Sequence, residues 1–74
     1  MLRRTEQWHR GYDAGNYDSA YRAETPDLRP LLGKSDNFRA GYLVGFYSSY
    51  ELHEVPADWR TRVKFLRAVY GEED

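Results

Sequence analysis

The sequence predicts an all-α fold, a single compact domain of three helices within residues 1–74. Three observations predict it. The run 38–50, FRAGYLVGFYSSY, is apolar around nearly its whole circumference when it is read at the helical period. The pattern GYxxGxY occurs twice, thirty residues apart, and residues 59–70 place apolar and basic side chains at helical spacing.

Composition favours a contact surface over a catalytic cavity. A chain of 74 residues encloses little interior, and without Cys it has no disulfide and no thiolate metal site. Aromatic residues make up 16% of it, including seven Tyr, and such rings combine large buried area with a polar group. We therefore expect no enzyme, no cofactor and no metal ion.

The net charge of −1 hides separate blocks of charge. Residues 51–58 carry three acids and no Lys or Arg, whereas residues 59–70 carry four cations and no acid. The apolar run 38–50 is shorter than the roughly 20 residues that a membrane helix needs. Because no secretory or transit pattern is present either, we expect a cytoplasmic protein without a membrane partner.

The first helix is predicted at about residues 5–22, with Thr5 as its N-cap. Gly11 and Gly15 weaken a helix by up to about 1 kcal/mol each relative to Ala, and close approach of another helix would offset that cost. A strap at residues 23–35 follows, where two prolines end the helix. We expect Leu31 and Leu32 to fold back from this strap onto the core.

The second and third helices are predicted at about residues 36–53 and 58–70, with Asp58 as the N-cap of the third. The third helix is basic and amphipathic. Its predicted apolar stripe, widened by Phe65 and Val69, comprises Trp59, Val63, Leu66 and Tyr70. Its predicted exposed basic side comprises Arg60, Lys64 and Arg67.

The first two helices form a repeat. Shifting the chain by thirty residues aligns seven identities, which extend from Gly11 with Gly41 to Pro26 with Pro56. Thr5 then aligns with Ser35, so that the helix start and the exit proline are both in register. Small residues four apart allow two backbones to approach closely. The repeat therefore predicts a pseudo-symmetric hairpin whose two GYxxGxY helices cross closely.

No pattern of catalytic residues is found. His9 and His53 lack a partner at metal-ligand spacing, and Ser48 and Ser49 have no base nearby in the sequence. The basic side of the third helix is the strongest electrostatic feature. It permits phosphate neutralisation on RNA, or a solvated helix face that neighbouring acids balance.

The segments EQWHRGYDAGNY and NFRAGYLVGFYSSY resemble the ribosome modulation factor family over about residues 6–50. Arg10, Gly11, Tyr12, Ala14 and Gly15 match the first segment of that family, and the second matches at Phe38, Gly41 and Tyr42. The resemblance implies a helical hairpin and binding to ribosomal RNA and protein. The chain departs from the family in its charge balance, in Thr25-Pro26 where the family has Cys-Pro, and in its third helix.

In general character the chain is also similar to small bacteriophage accessory proteins, including anti-CRISPR proteins. We expect a non-catalytic binding module that regulates or inhibits a large host machine by occupying its surface, the partner being a host protein or a ribonucleoprotein complex. A ribosome- or RNA-binding protein and a structural homo-oligomer, such as a homodimer, are the alternatives. The predicted partner-binding residues are Tyr17, Tyr21, Tyr47, Tyr50, Arg60, Lys64 and Arg67.

Overall fold

The protein is an all-α domain, as the sequence predicts. A computed structural model describes residues 3–21 and 23–71, apart from the side chain of Pro30. Its helices are α1 (Glu6–Tyr21), α2 (Asp36–Phe46) and α3 (Ala57–Tyr70). Two short 3-10 turns, Arg29–Leu31 and Leu52–Glu54, lie in the connections. No helix of the described ranges has the length and apolarity that crossing a membrane requires.

The first two helices begin in the same way. The Thr5 hydroxyl accepts a hydrogen bond from the backbone N–H of Trp8 at 3.2 Å, and the Ser35 hydroxyl accepts one from Phe38 at 3.2 Å. Each hydroxyl satisfies one of the N–H groups that have no partner inside the helix. The alignment of Thr5 with Ser35 is thus a structural equivalence.

The predicted start of α3 is wrong by one residue. Pro56 precedes the helix, and its carbonyl accepts hydrogen bonds from the N–H groups of Trp59 and Arg60. Asp58 therefore lies inside the first turn and is not the N-cap. Its negative carboxylate interacts favourably with the positive end of the helix dipole.

The two GYxxGxY helices cross with their backbones in contact, which confirms the predicted close crossing. A Cβ atom added at Gly11 would collide with the carbonyl of Phe38, and one at Gly41 with the carbonyl of Trp8. Trp8 and Phe38 are themselves aligned by the thirty-residue shift. The contacts therefore obey the pseudo-two-fold symmetry that the repeat predicts.

The second pair of glycines shows the relative direction of the helices. Gly15 faces the carbonyl of Tyr42, and Gly45 faces the carbonyl of Tyr12. These contacts lie one helical turn further along both helices. Because both helices advance together from one contact to the next, α1 and α2 run broadly in the same direction. The predicted hairpin is thus a parallel crossing pair, and the chain between the helices must return along them.

The strap makes this return and covers one side of the pair. Its buried residues are Pro26 and Leu31, which is 9% exposed and belongs to a core cluster with Tyr42 and Phe46. Leu32 is 74% exposed, so the expectation that it folds back is wrong. It follows the last residue of the 3-10 turn, so the helical rotation from buried Leu31 directs it outward.

The third helix packs against α2 and contributes to both core clusters. Tyr70 belongs to a second cluster with Trp8 and Val44, and Val63 is fully buried in the first. Phe65, which the sequence places at the margin of the core, is instead 61% exposed. Since α3 packs on α2 along one narrow stripe, a residue two positions from Val63 points to solvent.

The second helix ends at Phe46, seven residues before the predicted end at 53. Beyond it the chain tightens, with the Ser48 N–H bonded to the Gly45 carbonyl and the Tyr50 N–H bonded to the Tyr47 carbonyl. One Arg67 nitrogen donates to the carbonyls of Tyr47 and Tyr50, at 2.8 and 2.9 Å. A side chain of α3 thus stabilises the turn in place of further helix.

Candidate partner-binding surfaces

Two exposed tyrosines form a continuous aromatic surface on α1. Tyr17 and Tyr21 are 53% and 77% exposed, and their ring centroids lie 5.1 Å apart at an interplanar angle of 47°. They touch because residues four apart share one side of a helix. We call this pair the tyrosine face. Both residues are among the predicted partner-binding residues, and the structure brings them together.

An open groove of about 460 Å³ adjoins the same end of α1, where its lining includes Asn16 and Ala20, the residues that precede Tyr17 and Tyr21 in the chain. Asn16 and Ser19 of α1 line one wall, and Ser48, Ser49 and Tyr50 line the wall beyond α2. The Ser48 hydroxyl donates to the Asn16 side-chain oxygen at 2.8 Å and links the two walls. The groove thus offers hydroxyl groups and the Tyr50 side chain at the end of the crossing where α2 terminates.

The other two predicted tyrosines belong to the core side of this surface. Tyr47 is fully buried, so its side chain is not accessible to a partner in this fold. Tyr50 is half-buried, packs on the core and meets the Tyr47 ring edge to face at 5.1 Å. The pKa of Tyr47 is raised, mainly by burial and secondly by the neighbouring Tyr50. Of this pair only Tyr50 reaches the groove.

The repeat equates Tyr17 with Tyr47, although their surroundings differ. Tyr47 shares its cluster with Val55 and Val63, which follow α2 in the chain. Tyr17 is instead 53% exposed. Tyr17 is therefore exposed, although its counterpart in the repeat, Tyr47, is buried in the core.

The three predicted cations of α3 have different roles. The Arg60 guanidinium donates to the carbonyls of Val55 and His53, at 2.9 and 3.3 Å, and Arg67 bonds the turn after α2 as described above. Lys64 is exposed. Two of these three predicted partner-binding cations, Arg60 and Arg67, thus hold the connection between α2 and α3.

A different set of side chains forms the outer surface of α3. Arg62 places its guanidinium over the Trp59 ring, 5.3 Å from the centroid, and Lys64 and Phe65 are exposed beside it. We call Arg62, Lys64 and Phe65 the α3 face. Sequence reasoning missed Phe65 and Arg62 because it assigned Phe65 to the core. On a helical wheel Phe65 lies nearly opposite Val63, and this position was the available signal that Phe65 is exposed.

A hydrogen bond joins α1 to α2 near the C-terminal end of α1. The Tyr42 hydroxyl donates to the Asp18 carboxylate at 2.6 Å. Burial, and next the hydrogen bond to Asp18, raise the pKa of Tyr42 well above its ordinary value. On the strap, the Arg29 guanidinium binds the Asp27 carboxylate and lowers its pKa. Among the described residues, no group of three or more His, Cys, Asp and Glu side chains is placed to hold a metal ion.

Comparison of the chain with models of protein families, with curated protein sequences and with solved structures finds no match. The resemblance to the ribosome modulation factor family therefore stays a prediction.

Proposed function

We propose that this protein is a small non-catalytic binding module that regulates or inhibits a large macromolecular machine by occupying part of its surface. The observation that supports this function best is the tyrosine face, two exposed rings in mutual contact on a helix. Tyrosine is enriched among the residues that dominate binding energy at interfaces. The glycine crossing packs the backbone of α1 against α2 and so supports the helix that carries the face.

The test is affinity capture from cells that express the chain, with quantitative mass spectrometry and nuclease treatment. The variant is Tyr17→Ser with Tyr21→Ser, and the matched control is Phe65→Ser, an equally exposed aromatic residue on another surface. We expect the principal partner to be lost with the tyrosine variant and retained with the control. Equal recovery with both variants would contradict the proposal.

A second candidate function is RNA binding, for which the α3 face is the specific observation. Arg62 and Lys64 flank an exposed Phe65, and the only acid of α3 is Asp58 in its first turn. Cations with an interposed aromatic ring suit a single strand, whose phosphates they neutralise and whose bases stack on the ring.

The test of this candidate is the salt dependence of binding to a fluorescent single-stranded RNA. Two neutralised phosphates predict a slope of about −1.4 in log K against log salt concentration. We expect Arg62→Glu to abolish binding and Phe65→Ala to weaken it, while Arg10→Glu on α1 has no effect. Binding that is absent, or insensitive to salt, would rule this candidate out.

A further inference from the structure

We propose that the segment bound at the tyrosine face is basic and inserts an arginine side chain into the adjoining groove. This inference rests on the proposed function, and it adds the chemistry of the partner. Three features of the structure support it: the charges around the face, the composition of the groove and the geometry of the aromatic rings.

The charges around the face are mostly negative. Asp13 lies one helical turn before Tyr17 on the same side of α1, and Glu24 follows the helix end; both are exposed. Glu51 follows Tyr50 at the far wall of the groove and is exposed as well. Of the nearby cations, Arg10 is ion-paired with Glu6, and Arg67 is bonded to the carbonyls of Tyr47 and Tyr50. Arg22 lies outside the described residues. A cationic partner is therefore attracted to this end of the molecule.

The groove can accept a polar, donor-rich group. Its walls carry the Ser19, Ser48 and Ser49 hydroxyls, which have acceptor lone pairs, and no Lys or Arg is among its lining residues. The helix α2 ends beside it, and the carbonyl end of a helix favours a positive charge. The chain itself uses this preference, since Arg67 binds the carbonyls of Tyr47 and Tyr50 in the same turn.

The rings favour arginine over lysine. Tyr17 and Tyr21 are exposed outside the groove, and Tyr50 lines it. A guanidinium group is planar, stacks on aromatic rings and donates several hydrogen bonds at once, whereas an ammonium group is a compact, strongly hydrated charge. Planar stacking on a ring together with several hydrogen bonds therefore favours arginine over lysine.

The test uses three fluorescein-labelled peptides in which Ser alternates with Arg, Lys or Glu. We expect the Arg peptide to bind at least about threefold more tightly than the Lys peptide, and the Glu peptide not to bind at this surface. Amide chemical shifts should change in residues 16–21 and 45–50. Equal affinity for Arg and Lys, or shift changes confined to α3, would overturn the proposal.

Two charge variants give the matched comparison. Asp13→Asn with Glu24→Gln should weaken the Arg peptide about tenfold, and Tyr17→Ser with Tyr21→Ser at least as much. The control, Glu6→Gln with Asp36→Asn, removes two exposed acids at the opposite end of the parallel pair and should change affinity less than twofold. Equal effects of both acid-removing variants would overturn the proposal.

The same variants separate this inference from the proposed function. If the captured partner is lost with the tyrosine variant but retained with Asp13→Asn and Glu24→Gln, the binding module stands and the basic segment is wrong. If the tyrosine variant instead dissociates a dimer of the chain, the occupant is a second copy and the inference is also overturned.

Discussion

The glycines of the crossing matter through the backbone atoms that a side chain would meet. A Cβ at Gly41 would strike the Trp8 carbonyl carbon at 2.8 Å and the Tyr12 nitrogen at 3.0 Å, in addition to the carbonyl oxygen. Backbone atoms in the middle of a helix cannot move aside as a flexible side chain can. The same geometry directs a glycine Cα–H at a carbonyl oxygen, a weakly favourable contact that an added Cβ would remove.

We therefore expect Gly41→Ala to lower the free energy of unfolding by about 3 kcal/mol. The control is Gly33→Ala in the strap, because no atom lies within 4 Å of an added Cβ there and its backbone needs no left-handed conformation. This control should be neutral or slightly stabilising. Urea denaturation measures both, and a neutral Gly41→Ala would contradict the close crossing.

Alkaline pH should destabilise the fold through Tyr42. Its folded-state pKa is raised above the ordinary value of 10.0, first by burial and then by the hydrogen bond to Asp18. The unfolded chain therefore ionises first, so that the stability contribution is complete below about pH 10 and is lost as the pH rises above it.

The test is to measure the free energy of unfolding between about pH 8 and about pH 11, a range that includes the ordinary tyrosine pKa. Tyr42→Phe should show a shallower decline above pH 10 than the natural chain. Tyr21→Phe, a change at an exposed ring, should show the natural decline. An unchanged decline in Tyr42→Phe would rule out the ionisation of Tyr42 as the cause.

At the scale of elements, a side chain of the third helix stabilises the turn that follows the second. The Arg67 guanidinium donates hydrogen bonds to the carbonyls of Tyr47 and Tyr50, which lie just beyond the end of α2. Hydrogen bonds from a charged group contribute about 1.5–3 kcal/mol. We expect Arg67→Met, which keeps most of the apolar stem, to lower the free energy of unfolding by about 2 kcal/mol.

The matched control is Lys64→Met, which removes an exposed cation from the same helix. It should change the free energy of unfolding by less than about 0.5 kcal/mol. Thermal and urea denaturation of the two variants give the comparison. If both variants lose the same stability, Arg67 acts only through the net charge of α3.

These elements also show how far sequence reasoning reached. The helix starts at Thr5 and Ser35 and the glycine crossing were predictable, because local hydrogen-bonding chemistry and a repeat carry them. The turn that follows α2 was not, because Arg67, twenty residues away from Tyr47, supplies hydrogen bonds to it. The contrast between Tyr17 and Tyr47 was equally hidden, since identical residues in a repeat differ only in what packs on them from outside. Tyr17 and Tyr21 of the candidate site were predicted, whereas Phe65 required the orientation of α3.

At the scale of the whole molecule, the parallel pair dictates the connection. α1 has 16 residues and is therefore about 24 Å long, a length over which the chain must return before α2 begins. Residues 22–35 are long enough to do so while burying Pro26 and Leu31. An antiparallel pair would need only a short turn, so the length of the strap follows from the direction of the helices.

Deletion of residues 24–33 therefore tests the topology. The four connecting residues that remain span at most about 17 Å between Tyr21 and Asp36, which is too short for the return. We expect α1 to pair with α2 of a second chain, or the chain to unfold. Light scattering and circular dichroism should show a dimer or a loss of helix.

Leu31→Ala is the control for the lost core contact; it should weaken the fold but leave it monomeric. Four Gly or Ser residues inserted after Gly33 should cost only about 0.6 kcal/mol or less, because loop-closure entropy grows slowly with length. A folded monomer of natural stability after the deletion would contradict the parallel arrangement, because only an antiparallel pair can be closed by so short a connection.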